Sequence, residues 1–217
     1  MPTWRGCLRG STRRVVWVSS NRSWGQARGA PLGQQHFGLR LPRLGAGRPG
    51  LGGHCIPIDP LYLSWKLRTL QYQARFIELA DSINGSMPGY VVERTAEALN
   101  EHAKPVRGTD ILIYGVAYKR DVSDVRESPA LAIIHGLQKR GARVSYMDPH
   151  VPALDEEGVT LESIASNSSF AAFDAVVIVT DHSLMDRTRL LSESRLVIDT
   201  RDALHGVSGD HGKVYGL

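Results

Sequence analysis

Cysteine is nearly absent. Cys7 and Cys55 are the two in 217 residues, too few for a disulfide framework and without a CxxC pair for zinc or dithiol chemistry. No metal is therefore expected, and a reducing, cytoplasmic setting is. Long hydrophobic runs are missing too. The longest apolar stretches, such as Ala175 to Val179, have the length of a strand and fall far short of the roughly 18 residues of a membrane span, so no membrane partner is expected. Acids and lysine are missing altogether from residues 1–50, which hold nine Arg and no Asp, Glu or Lys. The formal charge of +4 thus hides +9 in that segment and −5 in the other 167 residues. The positive sum gives no ground for a nucleic-acid partner of the main body. What is present, 42% hydrophobic and 22% charged residues, suffices for a buried core in one large domain or two small ones. It excludes a disordered or fibrous chain.

Residues 1–47 stand apart. They are rich in Arg, Gly, Ser and Trp, contain no Ile or Tyr, and keep neither a helical nor a strand period, so disorder is expected of them. An Arg-rich transit peptide, a nucleic-acid-binding basic arm and out-of-frame translation of GC-rich DNA joined to a protein near residue 48 all fit. The total lack of acids, ending abruptly where strong local patterning begins, favours the third. Gly45, Gly47 and Gly50 match G-x-G-x-x-G, but Leu41-Pro42-Arg43-Leu44 is a poor strand. Gly52, Gly53 and Pro57 follow where a helix should start, so a dinucleotide turn is rejected.

The segment Pro49-Gly50-Leu51-Gly52-Gly53-His54-Cys55-Ile56-Pro57-Ile58-Asp59-Pro60 is the most informative. Gly50, Gly52 and Gly53 let backbone N–H groups approach a ligand. A thiol beside such donors can add to a carbonyl and have the oxyanion stabilised. Asp59 lies on the same side if the loop turns into a helix at Pro60. A short amphipathic helix is expected around Leu61 to Arg68. A longer helical pattern runs from Ile77 to Leu99, where Gly85 and Pro88 permit a bend.

From Gly108 apolar strands alternate with amphipathic helices. Strands are expected at 111–116, 144–147, 175–180 and 196–199. Helices are expected at 129–140, near Leu161 and from about Leu184. This is the pattern of an α/β, doubly wound, Rossmann-like parallel sheet. The domain plan is 1–47 anomalous, 48–107 helical and central, and 108–217 the α/β unit. Ligands of such sheets sit beyond the carboxyl ends of the strands. There stand Tyr118, Lys119 and Arg120, then Arg126-Glu127-Ser128-Pro129, with Ser128 suited to an N-cap and Pro129 to the first helical position. Arg201 follows the 196–199 strand, where its fork suits a phosphate. His182 is expected to cap the sheet edge, an acid–base role being the alternative.

The string GlyLeuGlyGlyHisCysIleProIleAsp, then Phe76-Ile77-Glu78-Leu79-Ala80, Gly115-Val116-Ala117-Tyr118-Lys119, Asp124-Val125-Arg126-Glu127-Ser128-Pro129 and Asp181-His182, resembles the UDP-glucose/GDP-mannose dehydrogenase family. Its UDP-N-acetylhexosamine 6-dehydrogenase branch looks most similar. The resemblance covers about residues 49 to 217. It implies that Cys55 is the nucleophile of a two-step oxidation of a sugar C6 alcohol to a uronic acid, and that Asp59 helps activate water. It further implies that Gly50, Gly52, Gly53, Tyr118, Lys119 and Arg201 serve the UDP-sugar, that Arg126 contacts NAD, and that the long helix forms a homodimer interface. Residue 202 is Asp where related enzymes often carry Asn. The family also has an N-terminal NAD domain and an upstream catalytic Lys and Asn. The residues before the loop do not resemble these, so a fragment, inactive alone, is expected. A non-catalytic UDP-sugar-binding module is the alternative.

Overall fold

The computed structural model describes residues 48–217; the expectation of disorder for 1–47 lies outside the described residues. The elements run α1 (Cys55–Arg68), α2 (Arg75–Glu101), β1 (Asp110–Tyr114), α3 (Pro129–Lys139), β2 (Arg143–Met147), β3 (Ala153–Glu156), β4 (Val159–Glu162), β5 (Ala175–Ile178), α4 (Arg187–Glu193), β6 (Val197–Asp199) and β7 (Val214–Gly216). A short 3-10 turn covers Phe170–Ala172. None of the described helices is long and apolar enough to cross a membrane.

Five strands pair in the order β2-β1-β5-β6-β7, every pair parallel. Both faces of the sheet are covered, so its strands read as continuous apolar runs rather than alternating ones. Ile111, Ile113, Val177 and Ile198 face a cluster with Val91, Leu99, Ile134 and Leu137 from α2 and α3. Leu112, Tyr114, Val176 and Ile178 face Phe170, Leu190 and Leu191. Each fully buried Leu or Ile contributes about 1.5–3 kcal/mol, and the core holds many of them at 0–1% exposure. The chain leaves β1 toward β2 and returns to β5 on the other side of β1. The switch point therefore lies between β1 and β5. Gly115 marks it: at φ 78°, a Cβ there would stand 2.3 Å from the Thr180 carbonyl oxygen.

The helical expectations need two corrections. No helix forms near Leu161. Residues 153–162 make an antiparallel hairpin because Glu157 and Gly158 both take positive φ (51° and 79°), the backbone of a tight two-residue turn. Helix α1 begins at Cys55 rather than Pro60; Pro57 falls in the first turn, where N–H groups lack intrahelical partners, and Pro60 stands inside the helix. The longer helical pattern forms as expected, α2 being continuous with Pro88 inside it.

The expected start of α3 is found. The Ser128 hydroxyl accepts the Ala130 N–H and Pro129 opens the helix. The second half of α2 covers its own chain's domain through Val91, Val92, Thr95, Ala98 and Leu99, with Val92 tight against Gly136 of α3. Its first half leaves Phe76, Leu79 and Ile83 exposed.

Candidate functional site

The carboxyl edge of β1 and β5 gathers the charged residues. Asp181, 7% exposed, bonds two guanidinium groups at once: Arg120 through one oxygen and Arg201 Nε through the other at 3.3 Å. Arg201 is itself held by its backbone, which donates to Asp199 Oδ1 at 3.0 Å. Asp199 also accepts the amides of Ala203 and Leu204. Burial lowers the pKa of Arg201, and the nearby Arg48 and Arg120 charges add to this. Two guanidinium groups share the Asp181 carboxylate, with the Arg48 charge felt at Arg201, and such forks suit an anion. Lys119, beside Arg120, is exposed and has no ion-pair partner among the described residues.

Asp202 has φ 54°. Asn and Asp are the side chains that best tolerate this left-handed backbone, which accounts for either standing there.

The glycine loop docks against the same connection. The Gly53 N–H donates to the Arg126 carbonyl at 3.1 Å. A Cβ on Gly53 would lie 2.7 Å from the Tyr118 ring, and one on Gly52 would lie 2.6 Å from the Glu127 carbonyl oxygen. Gly52 and Gly53 thus make room for Tyr118 and residues 126–127, and Gly50 (φ 146°) does so for Pro129. This packing sets Gly53, two residues before Cys55 at the start of α1, against Tyr118, the neighbour of Lys119. Cys55 is an exposed free thiol. Asp59 follows at i+4 on the same face of α1 and is likewise exposed.

Arg126 forms a two-pronged ion pair with Asp124, Nη2 to Oδ2 at 2.7 Å and Nε to Oδ1 at 3.0 Å. Its hydrogen bonds bring the Asp124 pKa down to about 2. The pairing fixes an otherwise mobile, exposed fork. A cavity of about 560 Å3 lies between α1, α2 and the start of α3, lined by Leu51, Ile56, Pro60, Phe76 and Pro129 among others. Neither Cys55 nor the guanidinium cluster lines it, so the cavity and the charged edge are separate features.

Sequence reasoning missed Asp148 and left Asp181 without a role. Asp148 is buried and its carboxylate accepts five donors: the amides of Val116, Ala117, His150 and Val151, and His182 Nε2. Burial acts to raise its pKa, but the bonds from His182, His150 and Val116 outweigh burial and hold it below the usual value. The one signal available was the Asp-Pro pair closing β2, a turn-initiating dipeptide.

The UDP-binding-domain model of the UDP-glucose/GDP-mannose dehydrogenase family matches residues 112–206. The central-domain model of the same family matches residues 36–86, starting ahead of the boundary expected at 48. A UDP-N-acetyl-D-mannosamine dehydrogenase of Methanococcus maripaludis is 34% identical over 164 residues, covering 72% of this chain and 36% of the relative. An NDP-N-acetyl-D-galactosaminuronic acid dehydrogenase of Ralstonia nicotianae is 33% identical, covering 70% and 35%. Among solved structures, the UDP-D-ManNAc dehydrogenase of Pyrococcus horikoshii superposes with a TM-score of 0.64 at 26% identity, over 78% of this chain and 39% of that one. The chain therefore spans little more than a third of the length of these relatives. The two domain models, found in succession along one sequence, show that the chain belongs to the UDP-glucose/GDP-mannose dehydrogenase family.

Proposed function

We propose that this chain provides the UDP-sugar site and the nucleophilic thiol of an NAD-dependent nucleotide-sugar 6-dehydrogenase. The observation that carries the reading is the pair of guanidinium groups on Asp181, set beside Lys119, which has no ion-pair partner among the described residues. Arg201 and Lys119 bind the diphosphate in this reading through charge-assisted hydrogen bonds, each worth about 1.5–3 kcal/mol. In this reading Gly50, Gly52 and Gly53 serve the sugar indirectly, by seating Tyr118 and residues 126–129 closely. Toward NAD the described residues offer Arg126, which is exposed and preset by Asp124. They offer no glycine-rich strand-to-helix turn, since β1 and α3 are joined by the long 115–128 connection. The 217 residues alone are therefore expected to be inactive.

NAD, when bound, accepts the hydride of each oxidation. The chain's own contribution is covalent. The Cys55 sulfur bonds to C6 at the aldehyde level, and the former carbonyl oxygen takes up a proton, giving a thiohemiacetal. Its oxidation leaves a thioester. Water, its proton accepted by Asp59, then adds to the thioester carbon, the C–S bond breaks, and the uronic acid departs as the thiolate re-forms. A second reading, binding without catalysis, is favoured by the open setting of Cys55, which has no hydrogen-bonded base among the described residues.

Titration calorimetry with UDP tests the binding site. Arg201→Ala is expected to weaken UDP roughly 10- to 100-fold, and unchanged affinity would remove Arg201 from the site. The homodimer is proposed through the first half of α2, where Phe76, Leu79 and Ile83 are 87%, 56% and 52% exposed at helical spacing and form an apolar stripe that solvent disfavours. Sedimentation velocity is expected to show a dimer that the double substitution Leu79→Arg, Ile83→Arg converts to monomer. A wild-type monomer at high concentration would refute the interface.

A further inference from the structure

Lys119 and Arg120 stand on the connection that leaves β1, a surface turn closed by the Tyr118 N–H on the Asp124 carbonyl at 3.0 Å. A residue on such a turn holds a ligand in place only if its backbone is tied to rigid elements. Two ties flank Lys119. On one side the amides of Val116 and Ala117 donate to Asp148 Oδ2 at 2.7 and 3.1 Å, and Thr180 Oγ1 donates to the Ala117 carbonyl at 2.6 Å. On the other, the Asp121 amide donates to His182 Nδ1 at 3.0 Å. The Asp121 carboxylate in turn accepts the Ser183 N–H at 2.8 Å and the Ser183 hydroxyl. Asp121 holds a left-handed φ of 58°, a conformation that persists where the surroundings fix it.

His182 joins the two ties. Its ring is fully buried, and its tautomer follows from its partners. A backbone N–H can only donate, so Nδ1 is bare; Nε2 then carries the hydrogen and gives it to Asp148 Oδ2 at 3.0 Å. Both nitrogens are committed, and neither is free to move a proton. The same commitment weighs against a metal at Asp121, His150 and His182, whose ligand atoms lie within 4.8 Å of one another, because the one lone pair of His182, on Nδ1, already accepts the Asp121 amide. His150 Nε2, 3.7 Å from Asp121 Oδ1, is left with no nitrogen ligand partner.

We propose that His182 is a positioning residue for Lys119: its Nδ1 is the strut that takes the Asp121 amide and so fixes where the Lys119 ammonium meets the UDP diphosphate, while the Nε2–H on Asp148 sets the tautomer that keeps Nδ1 an acceptor. This rests on the reading that Lys119 contacts UDP, and the experiment separates the two. An Asn side chain can place an acceptor where Nδ1 stands, and a Gln side chain a donor where Nε2 stands. In calorimetry with UDP, Lys119→Ala is expected to lose roughly tenfold or more in affinity. His182→Gln is expected to lose a comparable factor, and His182→Asn to stay within about threefold of wild type. In the Lys119→Ala background, His182→Gln is expected to cost nothing further, which a general structural role would not produce. No loss in Lys119→Ala overturns the substrate reading. Loss in Lys119→Ala with equal effects of Asn and Gln, or a His182→Gln loss that adds in full to that of Lys119→Ala, overturns the strut. Imidazole nitrogen NMR shifts of the wild-type chain need no variant to fold. They are expected to show Nδ1 bare and Nε2 protonated, with and without UDP, and the opposite tautomer overturns the proposal.

Discussion

Cys55→Ala is expected to abolish formation of the uronic acid in a chimaera of this chain with the N-terminal part of a relative such as the Methanococcus maripaludis dehydrogenase. The reason is the second oxidation. In the proposed mechanism a free aldehyde offers no C–H bond held beside an electron-rich oxygen, whereas a thiohemiacetal on Cys55 would, and the resulting thioester could be opened by a positioned water. Cys55 suits the task by position. It opens α1, where backbone N–H groups lack intrahelical partners and can stabilise a developing oxyanion. Asp59 lies one turn along the same face. Cys55→Ser is expected to accumulate a slowly hydrolysed ester, because a hydroxyl has a far higher pKa than a thiol. Mass spectrometry of the protein after incubation with UDP-sugar and NAD reads the adduct directly. Full turnover to the acid by Cys55→Ala would return Cys55 to an inert thiol. The same assay on the 217-residue chain alone is expected to show no NADH, since the reacting groups must be held at near-attack distance.

The parts of this site legible in the sequence are those whose chemistry is local. The strand Ala175–Ile178 is an apolar run of the right length, and Ser128-Pro129 spells the start of α3. The glycines of the 50–53 loop stand where close packing on Tyr118, Glu127 and Pro129 requires them. The sequence was misread where local preference lost to a turn. Leu154, Glu156, Leu161 and Glu162 suit a helix, but Glu157-Gly158 reverses the chain and makes a hairpin of them. Strand β7 has three residues, too few to show a period, and its place beside β6 is set by the sheet. The acids were the least legible. Asp148, Asp181 and Asp199 look in sequence like any surface acid, yet they are 4%, 7% and 6% exposed. Each ends or follows a parallel strand. Burial at that edge is a property of the assembled sheet, so no window of sequence reports it. The expectation that His182 caps the edge agrees with its committed nitrogens, while its link to Asp121 required the fold.

Asp148→Ala is expected to cost about 3–5 kcal/mol of stability, a loss of roughly ten degrees in melting temperature for a domain of this size. The substitution removes one acceptor and orphans five donors: four backbone amides and the His182 Nε2 hydrogen. Most of these sit in the sheet edge beyond the reach of water, where an unmet N–H costs about 1–3 kcal/mol. Relaxation of the 148–151 turn recovers part of the sum, which keeps the total below the simple product. The effect carries a pH signature. The Asp148 carboxyl lies below the ordinary aspartate value of 3.8 in the folded protein, so the unfolded chain binds its proton first as the medium is acidified. Its stabilisation is complete above that ordinary value and is lost as the pH falls through the lower, folded one. Chemical denaturation of wild type and Asp148→Ala is therefore expected to show a constant gap from pH 7 to about pH 5 that narrows below 3.8. A gap that is absent at neutral pH, or that widens on acidification, would mean that the carboxylate does not hold the edge of the sheet. In that case the anchoring of Val116 and Ala117, and with it the placement of the Lys119 turn, would have to come from the Thr180 and backbone bonds alone.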